Sequence, residues 1–300
     1  MPKIISHATK AEWLALRSED VTSTESAALF GLSPYLTEYE LYHRKTKAVT
    51  DEFEPNERMS WGLRLQDAIA LGVAADLGIR VRRINTYWRH DAEPRMGASF
   101  DFEVIDHPDG PGLMEIKNVD YIVYRDSWSD DEAPPHIECQ VQHQMEVANR
   151  DWCLIVALVA GNTVKTIRRA RDREMGAGLR KAVAKFWHKV DKGIVPAPDF
   201  TKDADTIRAL YGKADGVPLI AKGNNHLHSL ALAYSQAAAD ERDAKARKDA
   251  AKAEILTLIG NAPKVVGDGW SLSASTISKA EHVVKPTTYR DFRITQKKTA

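Results

Sequence analysis

Apolar residues recur at helical spacing in the outer parts of the chain, and in its middle the period drops to two. Between Ala11 and Lys47, short apolar segments alternate with turn residues. Ser23 or Thr24 is placed to cap a helix through Ala27, Ala28 and Leu29 that stops at Gly31. Ser33-Pro34 restarts the chain, and Tyr39, Leu41 and Tyr42 supply a second apolar face. Leu65, Ile69 and Val73 predict a helix from Trp61 to Gly78. The pattern then changes. Arg80–Trp88, Gly97–Ile105 and Leu113–Val119 read as strands, the last two joined by the turn-rich HPDGPG around Asp106 to Gly112. A loop from Ser127 to Pro135 leads into a helix from His136 to Asn149. Leu154–Ala160 is an unbroken apolar run, as in a buried strand, and Val164–Arg169 returns from it across Gly161-Asn162. The helix Arg173–Val190 turns Leu179, Val183, Phe186 and Val190 inward. These elements predict an α/β fold, a core of mixed β-sheet flanked by helices.

The proline-bearing VPAPDF, Val195 to Phe200, reads as a boundary, giving a domain over residues 1–198 and a helical C-terminal extension over 199–300. The extension begins with a short helix near Asp203 to Tyr211. A long one, Asn224 to Ile259, follows with charges alternating in sign, as in a solvated arm or a coiled-coil strand. Short β segments around Gly267 and Gly269 lead to TYRDFRIT. There Tyr289, Arg290, Phe292 and Arg293 either stack on bases and grip phosphates or dock the tail.

Composition narrows the classes. The 300 residues are 43% hydrophobic and 28% charged, enough for one well-buried core and a smaller second unit. No stretch reaches the roughly 18 consecutive apolar residues of a membrane span, and MPKIISHATKAEW lacks the apolar region of a secretory signal. Two cysteines, Cys139 and Cys153, rule out four-cysteine zinc or iron–sulfur ligation within the chain. The cytoplasm is therefore the expected compartment. With 42 basic and 42 acidic residues no global field favours nucleic acid, so DNA binding would rest on local patches.

The stretch that carries chemistry is GASFDFEV, a turn, then GLMEIKNV. Glu115 and Lys117 differ by two and so share one face of a strand. In a hairpin Asp101 can sit opposite them, with the Ile116 carbonyl nearby as a further oxygen. Two carboxylates and an ammonium suit a hard cation such as Mg²⁺, which supports phosphodiester cleavage. Glu-X-Lys by itself is common on solvated surfaces. Here Leu113, Met114, Ile116 and Val119 place it near the core, where charged groups need partners. On the helix ECQVQHQMEV, Gln140 and Gln144 lie four apart, and Gln140 can be aimed at the metal or a phosphate. His226 and His228 have no partner motif, and no Gly-rich phosphate loop or GxSxG elbow is present.

The order of these motifs resembles the PD-(D/E)XK nucleases, and within them the YqaJ-type phage recombination exonucleases related to lambda exonuclease. The resemblance covers about residues 10–190. It begins at Arg17 and VTSTESAALFGLSPYLTEYELY, and runs through MSWGLRLQDAIA, GASFD, EIK and QVQHQM. It implies a restriction-endonuclease-like core and a Mg²⁺-dependent (or Mn²⁺-dependent) enzyme that degrades double-stranded DNA from the 5′ end and leaves a 3′ single strand. It assigns Asp101, Glu115, Lys117 and Gln140 to the catalytic positions, and Asp101, Glu115, Ile116 and Gln66 to the metal. Arg17 and Thr24 match residues that hold the 5′-phosphate. Implied partners are DNA ends, a single-strand annealing protein and further copies of the chain in a ring, inside a bacterial host carrying a phage or prophage.

This sequence departs from the family pattern at two places. GASPDG is Gly97-Ala98-Ser99-Phe100-Asp101-Phe102 here, and Gln66 stands where the family's first helix usually offers a glutamate. Gln66 keeps open a catalytically weakened module that binds DNA ends. The same core also serves endonucleases and junction resolvases, and a structural phage protein would use the charged cluster as a surface salt bridge.

Overall fold

The computed structural model describes residues 1–49, 56–279, 281 and 290–294. They fall in two compact units, Met1–Leu210 and Tyr211–Ala300. The first unit runs β1 (Lys3–Ile5), α1 (Lys10–Ser18), β2 (Val21–Thr22), a 3₁₀ turn (Ser26–Phe30), α2 (Glu38–Lys45), α3 (Glu57–Leu77), β3 (Arg80–Arg83), β4 (Tyr87–Arg89), β5 (Met96–Ala98), β6 (Phe102–Ile105) and β7 (Gly112–Val119). It continues through α4 (Tyr121–Ser127), α5 (Pro135–Ala148), β8 (Trp152–Val159), β9 (Thr163–Ala170), α6 (Arg173–Lys192) and α7 (Ala204–Leu210). This is the mixed α/β class that the sequence pattern predicts.

The main sheet has the order β3-β6-β7-β8-β9, antiparallel except for the parallel β7–β8 pair. Strand alternation divides the core into two layers. Met114 and Ile116 turn towards α3, joining Ile69, Val73 and Val156. Leu113 and Val119 turn the other way, joining Val141 and Met145 of α5 and Leu179, Val183 and Phe186 of α6. Glu115 and Lys117, in phase with Leu113, therefore belong to the layer beneath α5.

Two expected strands are each broken. Arg80–Trp88 separates into β3 and β4, and Gly97–Ile105 into β5 and β6. Together they form one bent antiparallel ribbon whose halves lie in different sheets. β3–β6 belongs to the main sheet, and β4–β5 to a second sheet of order β1-β4-β5-β2. The bend coincides with a register slip. Arg83 pairs with Phe102 and Trp88 with Ala98, so five steps on one strand match four on the other, the signature of a bulge. Asp101 thus sits at the break and not within a strand, and its carbonyl accepts from the Ile84 amide at 3.1 Å. The ribbon's second half needs Gly97. A Cβ there would lie 2.1 Å from the Tyr87 hydroxyl oxygen and 2.8 Å from Asp20 Oδ2.

The helix expected through Ala27–Leu29 is the 3₁₀ turn, closed by Gly31 in the left-handed region at φ 67°. Neither Ser23 nor Thr24 caps it. Its N-cap is Glu25, whose carboxylate accepts from Thr22 and Lys45 and makes no cap bond to the turn. The return from β8 to β9 turns on Ala160 and Gly161, both at positive φ, one residue before the expected pair. Helix α4 lies in a stretch for which the sequence pattern offered no element. The unit continues past VPAPDF to α7, where fully buried Asp203 accepts from Thr37 Oγ1 at 2.5 Å.

The second unit holds α8 (Asn225–Ile259) and the hairpin β10 (Lys264–Gly267)–β11 (Trp270–Ser273). Asn224 caps α8, its Oδ1 accepting from the Leu227 amide at 2.9 Å. Of the tail residues singled out above, Tyr289 lies outside the described residues. Phe292 packs edge-on against Tyr234 of α8, Arg290 donates to the Tyr211 carbonyl at 3.4 Å and Arg293 pairs with Asp291. Among the described residues no helix is long and apolar enough to cross a membrane.

Candidate active site

Strand β7 delivers Glu115 and Lys117 to the face beneath α5, and α5 answers with two amides one turn apart. Glu115 is only 5% exposed. Its Oε1 accepts from Lys117 Nζ at 2.7 Å and from Gln140 Nε2 at 2.6 Å, and its Oε2 accepts from Gln144 Nε2 at 2.8 Å. Lys117 also donates to Gln140 Oε1 at 3.0 Å, which closes a ring of Glu115, Lys117 and Gln140. A buried carboxylate with every oxygen served by a fixed donor is held to one rotamer. Gln144, to which the sequence assigns no role, hydrogen-bonds Glu115 just as Gln140 does. Its spacing four residues beyond Gln140 was the available signal.

Asp101 reaches the same place from the ribbon break. Its Oδ2 accepts from the Ile116 amide at 2.8 Å, and its Oδ1 accepts from Gln66 Nε2 at 2.9 Å. Burial, together with the neighbouring Glu115 charge, pushes the Asp101 carboxyl up to about 7, against the opposing pull of Lys117, the Ile116 amide and Arg83. Burial works to lower the Lys117 ammonium, but Glu115 and Asp101 outweigh it and leave its pKa raised. Lys117 is therefore a fixed cation.

Gln66 comes from α3 and lies against Asp101, with its amide oxygen turned to Arg83 Nη2 at 3.2 Å. Asp67 is engaged by the same guanidinium. Arg83 is thus a part of the site that the sequence reading did not single out; it falls on a short basic strand where nothing local distinguishes it. For Gln66 to offer its oxygen to a metal, the amide must turn over and leave Arg83.

Among the described residues no three His, Cys, Asp or Glu side chains gather in a metal-binding group. The cluster has two carboxylates, and the place beside Asp101 holds the Gln66 amide. Its donor set nevertheless fits a hard divalent cation, since the donors are oxygens and the crowding that raises Asp101 is what such a charge would relieve.

Arg17 and Thr24 are also brought together, Arg17 Nη2 donating to Thr24 Oγ1 at 3.2 Å. The guanidinium lies over the Trp13 ring at 4.7 Å, and Trp13 Nε1 donates to Ser99 Oγ at 2.9 Å. Gln144 Nε2 donates to the Ser99 carbonyl at 3.1 Å. Ser99 therefore ties the Arg17–Thr24 pair to the Glu115 cluster. Arg17 is half-buried and Thr24 exposed, so the pair can meet a ligand from solvent.

Residues 12–151 match the family described as a YqaJ-like viral recombinase domain. The chain is 24% identical over 257 residues to the uncharacterized protein YqaJ of Bacillus subtilis, which covers 83% of this chain and 79% of that one. The fold is that of the alkaline exonuclease LHK-Exo from Laribacter hongkongensis. That structure superposes with a TM-score of 0.52 at 22% identity over 66% of this chain and 99% of its own. Its complex with dAMP gives a TM-score of 0.51.

Proposed function

Since residues 12–151 belong to the YqaJ-like viral recombinase family, we propose that the chain is a metal-dependent deoxyribonuclease that degrades double-stranded DNA from the 5′ end and leaves a 3′ single strand. The observation that carries this reading is the Asp101–Glu115–Lys117 cluster, two crowded carboxylates beside a fixed ammonium. Asp101, Glu115 and the Ile116 carbonyl would hold Mg²⁺ or Mn²⁺, with Gln66 at the edge. When bound, such an ion polarises the phosphoryl oxygens and acidifies a water. Lys117 orients the attacking oxygen and offsets negative charge growing at phosphorus. Gln140 and Gln144 keep the Glu115 carboxylate aimed. Arg17 and Thr24 take the 5′-phosphate, an Arg fork and a hydroxyl being common phosphate donors. The dAMP complex of LHK-Exo is in line with a DNA-derived ligand. The same reading makes a ring of copies and a single-strand annealing protein the expected partners, and the bacterial cytoplasm the expected site of action.

A second reading rests on Gln66, whose amide donates to Asp101 and adds no negative charge. It is a module that binds DNA ends with weakened catalysis. One assay separates the two. Linear 5′-phosphorylated duplex, with each strand labelled in turn, is incubated with Mg²⁺ and with EDTA. The nuclease reading requires each strand to lose nucleotides from its 5′ end, and only with Mg²⁺. Retention of ends without shortening supports the binding module.

A further inference from the structure

The α5 face that holds Glu115 does not stop at Gln140. His136, Gln140 and Gln144 are spaced four apart and form one row. Gln140 and Gln144 grip Glu115, and His136 stands four residues, about 6 Å along the axis, further out. It is half-buried, and burial together with the Lys117 charge holds its pKa below the usual imidazole value. Its ring meets Tyr35 edge to face, with centroids 5.6 Å apart and planes at 87°. Tyr35 is 79% exposed. Its backbone is nonetheless fixed, because the buried Ser33 hydroxyl accepts from the Tyr35 amide at 3.2 Å and the Leu36 amide at 3.1 Å, across Pro34. A large aromatic face is thus held open to water on a rigid turn, next in line to the catalytic lysine's partner.

We propose that Tyr35, braced by His136, is a stacking platform for the base of the 5′-terminal nucleotide, whose 3′-side phosphodiester lies at the Glu115–Lys117 cluster. This deepens the nuclease reading and rests on it. An exposed aromatic face takes any base and confers no sequence preference, as an enzyme that consumes a strand successively requires. Stacking fixes the nucleotide from its base side while the charged cluster engages the phosphodiester on its 3′ side.

The experiment compares 5′-phosphorylated duplexes whose 5′-terminal nucleotide carries a base or is abasic. Wild type and Tyr35→Phe are expected to prefer the base by about tenfold in kcat/KM, within the range known for base–aromatic stacking. Tyr35→Ala should show no preference and should process the abasic end at the wild-type rate, which a merely structural defect would not allow. Terminal 2-aminopurine supplies a readout independent of cleavage. With Ca²⁺ in place of Mg²⁺, its fluorescence is quenched by wild type and not by Tyr35→Ala, and His136→Ala loses part of the quench. If wild type cleaves DNA without preferring the base and without quenching, the platform is overturned and the nuclease reading stands. If wild type neither cleaves nor quenches, both fall.

Discussion

Gln66→Glu is the substitution whose two consequences oppose each other most clearly. The wild-type amide donates to Asp101 Oδ1 at 2.9 Å, and that bond is lost in the variant. A third carboxylate then faces Asp101, which burial and Glu115 already push up to about 7. Two unit charges ~4 Å apart interact by about 4 kcal/mol at an effective dielectric constant of 20. Arg83, which already reaches the Gln66 oxygen at 3.2 Å, offsets part of this. The metal-free variant should therefore lose on the order of 1–3 kcal/mol of stability, the range for one strongly placed substitution. With a divalent ion present the sign reverses, because the added charge attracts the ion. Tenfold tighter Mg²⁺ binding corresponds to about 1.4 kcal/mol, less than the repulsion it would replace. Thermal unfolding with and without Mg²⁺, and activity against Mg²⁺ concentration, read both effects. Expected are a lower melting temperature without metal, a larger gain on adding it, and at least tenfold less Mg²⁺ for half-maximal activity. An unchanged melting temperature and an unchanged Mg²⁺ requirement would refute the placement of Gln66 at the metal. A folded but wholly inactive variant would mean that the amide donor itself is needed.

Three further outcomes follow from other parts of the site and fold. Gln144→Ala removes the donor to Glu115 Oε2 and the link to Ser99, and should lower turnover by about tenfold, a charged hydrogen bond being worth ~1.5–3 kcal/mol; wild-type turnover would show that Gln140 alone positions Glu115. Truncation after Leu210 should leave phosphodiester cleavage on short duplexes intact while assembly or processivity declines, since the cluster lies wholly in the first unit. The cut belongs there and not at Phe200, which would strip buried Asp203 from Thr37. A folded, inert truncation would place part of the active site in the second unit. Stability should also fall in acid through His143, fully buried with Nε2 3.0 Å from the Gly97 carbonyl. Burial pushes this imidazole from 6.5 down to about 4, only partly opposed by that carbonyl. Above pH 6.5 it is neutral in both folded and unfolded chains. Between 6.5 and 4 only the unfolded chain takes up the proton, so stability drops by up to about 3 kcal/mol. His143→Gln should flatten that part of the pH–stability curve relative to wild type, and an identical slope would contradict it.

The part of the site borne by one strand was legible in the sequence. Glu115 and Lys117 two apart, between Leu113, Met114, Ile116 and Val119, fix both the shared face and the burial. Gln140 and Gln144 were legible as a helical pair, although distance alone shows that both reach Glu115. Asp101 was found as a residue but not in its setting. Local alternation cannot report that a ribbon leaves one sheet for another, and the bulge that bends it is visible only in the pairing of Arg83 with Phe102 and Trp88 with Ala98. Arg83 and Ser99 escaped notice because their importance comes entirely from partners distant in the chain, Gln66 and Asp67 for one, Trp13 and Gln144 for the other. Helix α4, YIVYRDS, is rich in β-branched and aromatic residues of low helix propensity, so its conformation is set by context.

The central claim is that the Asp101–Glu115–Lys117 cluster cleaves phosphodiesters. Single-turnover cleavage of linear duplex DNA by wild type and Lys117→Ala, with DNA affinity measured in parallel, tests it most directly. Among the described residues the Lys117 ammonium hydrogen-bonds within the cluster, to Glu115 and Gln140, so the fold should survive its loss. The account predicts Mg²⁺-dependent cleavage by wild type, and in the variant a rate lower by about 100-fold or more with DNA affinity largely retained. Cleavage by Lys117→Ala at the wild-type rate would contradict it.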